Sequence, residues 1–442
     1  MTKLPGAEQA IGRPSGTLSD ALRVATVAGD SGDTDPRRWS MLALLATAEL
    51  LGMALWFAGS AVATSIASRS GLTPSVGAAW LMTTVQLGFV AGTALAALLN
   101  LADLIPAARY FAGSAIIGAL ANAAILATSD FRLALVTRFL TGLSLAGVYP
   151  PAMKMVATWF RGRRGLAIGT IVGALTVGKA TPYLVLATLG TATTAAAPNS
   201  SGTTRVILAA SAGGAIAAVL VLAGYRDGPY PFQARPFSWG LVAEVARSRH
   251  WRLATSGYLG HMWELYAFWT WIPAFIAASL AVQRGSPSPT ALSATIAFAT
   301  IAIGGVSCVW GGLIADRTGR ERLVILAMAA SGSCALVAPF AFGRATWLLA
   351  FLALLWGFFV IADSAQFSAL VTESVPTHAV GTALTLQTSL GFLLTTVSIQ
   401  LIPILVGQAG WQWAFPMLAI GPAFGILAIR RLIVLKRVAE SR

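Results

Sequence analysis

Charge is what this sequence has least of: only 10% of its 442 residues are Asp, Glu, Lys or Arg, against roughly 25% in an ordinary soluble domain. A chain so poor in charge and 56% hydrophobic does not have water as its main solvent. Cysteine is nearly absent too. Cys308 and Cys334 both lie inside apolar runs, too few for a disulfide framework or a thiolate metal site. No His/Cys metal cluster, Gly-Lys-Ser/Thr phosphate loop or Gly-x-Ser-x-Gly elbow is visible. The expectation is no cofactor, no metal and no enzyme, and an ATP-driven pump is disfavoured by the same absences. The first 38 residues also lack any sustained apolar run, so 1–38 reads as a disordered tail without the apolar core of a secretory signal.

What is present is a series of apolar runs, each close to the roughly twenty residues that cross a bilayer. They fall near 39–63, 75–99, 109–128, 132–155, 164–188 and 205–224, then 252–280, 291–315, 322–342, 346–370, 380–405 and 411–435. The longest interior polar break, 225–251, carries Arg226, Arg235, Arg247 and Arg249 and reads as a linker along the membrane surface. The expected fold is an all-α polytopic membrane protein of twelve transmembrane helices in two pseudo-symmetric six-helix bundles. Its units are 39–224 and 252–435, with a second short tail at 436–442.

The net charge of +14 invites a nucleic-acid reading, but the basic residues sit between the runs, which suits a membrane surface instead. Arg69, Arg132, Arg205, Arg284 and Arg344 stand one to a break on one side, and nearly all other Lys and Arg crowd the opposite side. Basic loops resist translocation, so both termini are expected in the cytoplasm. The halves also echo one another. Glu49 and Glu264, 215 residues apart, each precede a tryptophan by seven positions, Trp56 and Trp271, and Gly165 and Gly381 differ by 216. A steady offset suggests a parallel repeat, the arrangement in which a site forms between two rocking bundles.

The most specific short motif is Gly312-Leu-Ile-Ala-Asp316-Arg317-Thr-Gly319-Arg320-Glu-Arg322, after the eighth run. Here the sequence resembles the major facilitator superfamily, whose loop signature is Gly-x-x-x-Asp-Arg-x-Gly-Arg-x-Arg, and the resemblance covers about 39–435. It implies a secondary transporter working by alternating access. The motif then implies a cytoplasmic gate in which Gly312 lets helices approach, Gly319 supplies a turn, and Asp316, Arg317, Arg320 and Arg322 bridge helix ends. In the first-half copy Asp103 and Arg109 remain, while Asn100 and Leu104 replace the glycine and the first arginine. Arg138-Phe-Leu-Thr-Gly142 is similar to the Arg-x-x-x-Gly pattern of many proton-coupled members. The antiporter Gly-Pro pair is missing from the glycine run Gly165, Gly169, Gly173, since Pro182 stands apart.

Charges within apolar runs are costly, by about 2.5–3.5 kcal/mol on insertion scales, and are expected to be paired or to line a cavity. Glu49 and Arg138 come to similar depths and are expected to pair. His261 and Glu264, three apart on one helix face, are expected to pass a proton between them. With Asp363 these five form the candidate proton-coupling set. The candidate solute-contacting set is Trp56, Lys179, Trp263, Tyr266, Trp271 and Gln366, aromatics and polar groups able to stack on and bind an organic solute. Lys154 and Glu373 end their runs and snorkel.

The expected partners are therefore a small solute, organic and either aromatic or charged, protons, and the lipid of a bacterial inner membrane. Nucleic acid is not expected, and the working unit is taken as a monomer. A small inorganic or carboxylate anion is the alternative solute, because Pro150-Pro151 and Trp159-Phe160-x-Gly-Arg-Arg-Gly165 loosely resemble anion-carrying branches. The second and eighth runs, however, carry no arginine of the nitrate-carrying kind. A membrane receptor or integral-membrane enzyme is the remaining reading, lacking a sensor domain or clustered catalytic residues.

Overall fold

The computed structural model describes residues 35–440 apart from 70, 72, 162, 190–199, 231–237 and 288. The expected tail at 1–38, apart from 35–38, and parts of the expected linker lie outside the described residues. Among those described there is no strand, and twelve helices are long and apolar enough to cross a membrane. They are α1 (Arg37–Ala61), α2 (Pro74–Leu98), α3 (Ala107–Ala127), α4 (Phe131–Ala157), α5 (Gly165–Leu189) and α6 (Gly202–Gly224), then α7 (Arg249–Arg284), α8 (Thr290–Thr318), α9 (Arg320–Ala341), α10 (Thr346–Glu373), α11 (Val380–Ala409) and α12 (Trp411–Val438). The polar breaks end these helices by ordinary chemistry. Asp130 caps α4 by accepting from the Arg132 amide at 2.8 Å, Pro74 opens α2 where a missing amide costs nothing, and Gly319 turns between α8 and α9 at φ +91°.

Because the number of spans is even, the start of α1 and the end of α12 share one face, the terminal face; the other is the distal face. In the first half α1 packs against α5 and α6, α2 against α4, and α3 against α6. In the second, α7 packs against α11 and α12, α8 against α10, and α9 against α10 and α12. The halves meet along α5 with α8 and along α2 with α11. Glycine sets the first junction: a Cβ on Gly173 would lie 2.9 Å from the Gly305 carbonyl oxygen, so nothing larger fits without pushing α5 from α8. Gly165 has open space around it, so the expected stripe packs only in part.

Two spans are broken in mid-membrane, and the breaks correspond. α4 consists of Phe131–Leu145 and Tyr149–Ala157, with Gly147 between, and α10 of Thr346–Ala362 and Ser364–Glu373, with Asp363 between. Gly147 and Asp363 lie 216 residues apart, the offset of Gly165 and Gly381. Irregular backbone at membrane depth persists only where protein or a cavity surrounds it, so both breaks belong to the interior. Between the halves a short amphipathic helix, Trp239–Arg247, precedes α7, whose start is capped by Ser248.

Candidate solute site between the halves

The centre of the molecule is an aromatic layer contributed by both halves. Trp56 of α1 lies 4.9 Å from Phe89 of α2, 5.8 Å from Tyr266 of α7 and 5.5 Å from Phe392 of α11, ring centroid to centroid. Phe392 is 4.6 Å from Phe89 and 5.0 Å from Tyr266, and Trp269 stands edge-on to Tyr266 at 5.4 Å. From this layer toward the distal face the halves are tied by side-chain hydrogen bonds. Gln86 donates to Thr395 at 3.1 Å and Gln400 to Thr83 at 3.0 Å, both between α2 and α11. The conformation is closed on that side.

Lys179 of α5 reaches across the junction into this layer. Its ammonium donates to the Tyr266 hydroxyl and stands 4.2 Å from the Trp56 ring centroid, 4.6 Å from that of Tyr266 and 5.2 Å from that of Trp269. Two indole rings and a phenol hydroxyl thus surround a buried ammonium. Glu49 is buried on α1, beside Leu50, whose carbonyl meets Gly178 next to the lysine, yet the two make no ion pair among the described contacts. Neither Glu49 carboxyl oxygen has a hydrogen-bond partner, nor do the indole nitrogens of Trp56 and Trp269. Unpartnered buried polar atoms are costly and mark a place where something else binds. Close helix contact puts Lys179 and Glu49 at one level: a Cβ on Gly178 would sit 2.2 Å from the Leu50 carbonyl oxygen.

The pairings expected from the sequence are not the ones formed. Arg138 does not pair with Glu49; its guanidinium donates to the Leu55 and Trp56 carbonyls at 3.1 and 2.5 Å and to the Asn122 side chain at 3.1 Å. Asn122 in turn donates to Ile207 and Ser211 of α6, so Arg138 ties α1, α3, α4 and α6 together. The reason is its direction: its reach ends on α1 carbonyls above Glu49, and Gly59 leaves room, since a Cβ there would lie 2.8 Å from Nε. Nor does His261 face Glu264. The break in α10 brings Asp363 inward, and His261 Nδ1 lies 2.9 Å from its carboxylate. Glu264 is held instead by Ser331 at 2.7 Å and the Trp356 indole at 2.8 Å. The two side chains, one turn apart, thus meet α10 at different levels, His261 at Asp363 and Glu264 at Trp356, and Glu264 also reaches Ser331 of α9.

Of the candidate solute contacts, Trp56, Lys179 and Tyr266 come together and Gln366 is buried on α10, one turn beyond Asp363. Trp263 and Trp271 do not join them. Trp263 donates to the Met417 carbonyl on α12 at 3.3 Å, and Trp271 to the Ile399 carbonyl on α11 at 3.0 Å, so both pack within the second half. Trp269, Phe89 and Phe392 were not singled out from the sequence. Trp269 lies in the same aromatic run, and a helical turn from Tyr266 is the one signal that pointed to it.

At the terminal face the gate motif is rearranged. Arg320 pairs with Glu373 of α10, and Lys436 of α12 pairs with Glu321 at 2.6 Å and Glu373 at 3.4 Å, all within the second half. Asp316, Arg317 and Arg322 are exposed, as is Arg109, and none makes an ion pair among the described residues; the Asp103 side chain lies outside them. Gly319 supplies the expected turn. Gly312 does not serve close approach, having open space around it; that role falls to Gly311, where a Cβ would lie 2.2 Å from the Ala362 carbonyl oxygen.

With this geometry in place, comparison with known proteins decides the family. The profile of the Major Facilitator Superfamily matches residues 44–399. The chain belongs to the major facilitator superfamily. A crystal structure of the nucleoside transporter NupG is similar over 89% of this chain and 99% of that one, with a TM-score of 0.65 and 15% sequence identity. At that identity the likeness is one of fold. No curated protein matches the chain. Family and fold make this a multi-pass membrane protein of the secondary-transporter class, not an enzyme.

Proposed function

We propose that the protein moves a small organic solute across a bacterial inner membrane by alternating access, coupled to protons, with the terminal face in the cytoplasm. The observation that carries the reading is Glu49. It is a buried carboxyl whose two oxygens have no hydrogen-bond partner, beside a buried ammonium at the junction of two bundles. Such a group is free to bind and release a proton as the junction opens to one side and then the other, because no fixed partner holds it in one state. Trp56, Tyr266 and Trp269 supply rings for an organic solute, and the distal hydrogen bonds between α2 and α11 would have to part for the outward-facing state.

The crowding of Lys and Arg on the terminal face supports its cytoplasmic placement. Arg138, Glu264 and the His261–Asp363 pair hold helices together in this reading. Reconstituted protein with an imposed pH gradient tests it, reading solute uptake and internal pH together over a panel of neutral, cationic and anionic compounds. Uptake that neither follows the gradient nor moves protons in any case would refute the coupling.

A further inference from the structure

A lysine inside a membrane span ordinarily snorkels to the surface or pairs with a carboxylate. Lys179 does neither. Although both oxygens of Glu49 are unpartnered, the ammonium is turned to the rings of Trp56 and Trp269 at 4.2 and 5.2 Å and to the hydroxyl of Tyr266. A cation set against the rings of two tryptophans, with the Tyr266 hydroxyl accepting from it at the third side, is an arrangement that recognises ammonium ligands. Two of the three walls, Tyr266 and Trp269, belong to α7, whereas the lysine is carried by α5 of the other half. The box therefore spans the junction: Trp56 shares the lysine's half, and the lysine reaches the other two walls across it.

We propose that Trp56, Tyr266 and Trp269 form a recognition box for a small organic cation, and that Lys179 is a tethered substitute that fills the box when no solute is bound. This deepens the transport reading above and rests on it for the role of the junction. When an organic ammonium enters, Lys179 leaves the rings, and Glu49 is the carboxylate that receives it. Protonation of Glu49 removes that destination and returns Lys179 to the box, displacing the solute. Proton binding and solute binding thus exclude one another through one lysine. The empty site also keeps its charge, because the lysine replaces the cation that has left. Arg138 plays no part, since its two terminal nitrogens are committed to carbonyls and Asn122 and it makes no ion pair with Glu49 among the described contacts.

The test uses the purified full-length protein in detergent at fixed ionic strength, with choline as probe and dimethylbutanol, its uncharged carbon isostere, as control. Binding is read by tryptophan fluorescence and calorimetry. Wild type should bind choline saturably and dimethylbutanol not at all. Lys179→Met and Lys179→Gln, which remove the substitute cation, should each bind choline about tenfold more tightly, the scale of one desolvated cation–π contact. Adding Trp269→Leu to either should abolish the gain. Equal binding of choline and dimethylbutanol by wild type overturns the proposal, even if no variant folds. So does choline affinity unchanged by both lysine replacements. Saturable binding of sodium benzoate that disappears with Lys179 would make the lysine an anion receptor and overturns it as well. The same preparation in proteoliposomes separates the two readings. If a neutral or anionic solute accumulates on a pH gradient while choline fails to bind, the box falls and transport stands. If choline binds as expected and no solute is driven by protons, the box stands and the coupling falls.

Discussion

Glu49 and Glu264 hold corresponding places in the two halves, 215 residues apart on α1 and α7, and both are buried. Their surroundings differ completely. Glu264 accepts from Ser331 and the Trp356 indole at 2.7 and 2.8 Å, which fixes it between α9 and α10. Glu49 accepts from nothing and makes no ion pair with Lys179 among the described contacts. In the first half the polar knot is built by Arg138 and Asn122 instead, a turn or more away. A duplicated scaffold supplied one carboxyl to each half, and the neighbours decided which became a fixture and which stayed free. A buried carboxylate satisfied by two donors stabilises a bundle, whereas an unsatisfied one is retained at a cost in stability and so has a use.

The sharpest way to break this comparison is to neutralise each carboxyl in turn. Glu49→Gln should abolish proton-driven accumulation, a loss of tenfold or more, with little change in the unfolding midpoint, because no partner is lost. Glu264→Gln should keep accumulation near wild type and unfold earlier, because the amide nitrogen replaces one of the two oxygens that accept from Ser331 and Trp356, at about 1–3 kcal/mol for the one donor left unsatisfied. Uptake and thermal unfolding in detergent, measured on both variants, decide the matter. The reverse pattern would assign coupling to Glu264.

The next effect concerns the knot that replaces a carboxylate in the first half. Arg138→Ala should lower the yield of folded protein and destabilise it by about 1–3 kcal/mol, since the Asn122 side chain and the carbonyls of α1 lose a buried donor. A double-mutant cycle of Arg138 with Asn122 should show coupling above about 0.5 kcal/mol, and one of Arg138 with Glu49 should fall below it. Strong Arg138–Glu49 coupling would restore the pairing that depth along the helices suggests and the structure does not contain.

The contrast also shows what could be read in advance. Hydropathy runs located all twelve spans, because the bilayer demands length and apolarity regardless of what packs inside. The embedded charges Glu49, Arg138, Lys179, His261, Glu264 and Asp363 were visible for the same reason. Who meets whom was not. Depth placed Glu49 beside Arg138, but depth says nothing of rotation about a helix axis. Spacing placed His261 beside Glu264, but the broken backbone at Asp363 captured the histidine, and no motif announced the break beyond its likeness to the one at Gly147. Lys179 in an aromatic box depends on which helix of one half faces which of the other, a relation no single run encodes.

Glycines give a smaller and cleaner comparison between the halves. Gly178→Val should separate α5 from α1, its Cβ meeting the Leu50 carbonyl oxygen at 2.2 Å, and destabilise by about 1–3 kcal/mol, the usual cost of overpacking. Gly312→Ala, although it alters the family signature, should lie within about 0.5 kcal/mol of wild type, because open space surrounds it. Unfolding midpoints of the two variants check the pair, and a severe loss at Gly312 would mean that the signature glycine works in a conformation other than this one.

The smallest effect is expected at the terminal face, where the second half carries the Arg320–Glu373 and Lys436–Glu321 contacts and the first half has Ala107 at the position corresponding to Arg320. The side chains of Arg320 and Glu373 are 38% and 39% exposed. A pair so open to solvent contributes only about 0.2–1 kcal/mol, and 1 M salt shortens the screening length to about 3 Å. Arg320→Ala should therefore shift the unfolding midpoint slightly at low salt and not at all in 1 M sodium chloride. If the pair instead latches α9, α10 and α12 during transport, the same substitution will slow uptake at saturating solute while leaving the midpoint nearly unchanged. Measuring uptake and unfolding together at both salt concentrations distinguishes a latch from a solvated contact, and this structure, which keeps those contacts within one half and leaves Asp316 exposed, favours the latter.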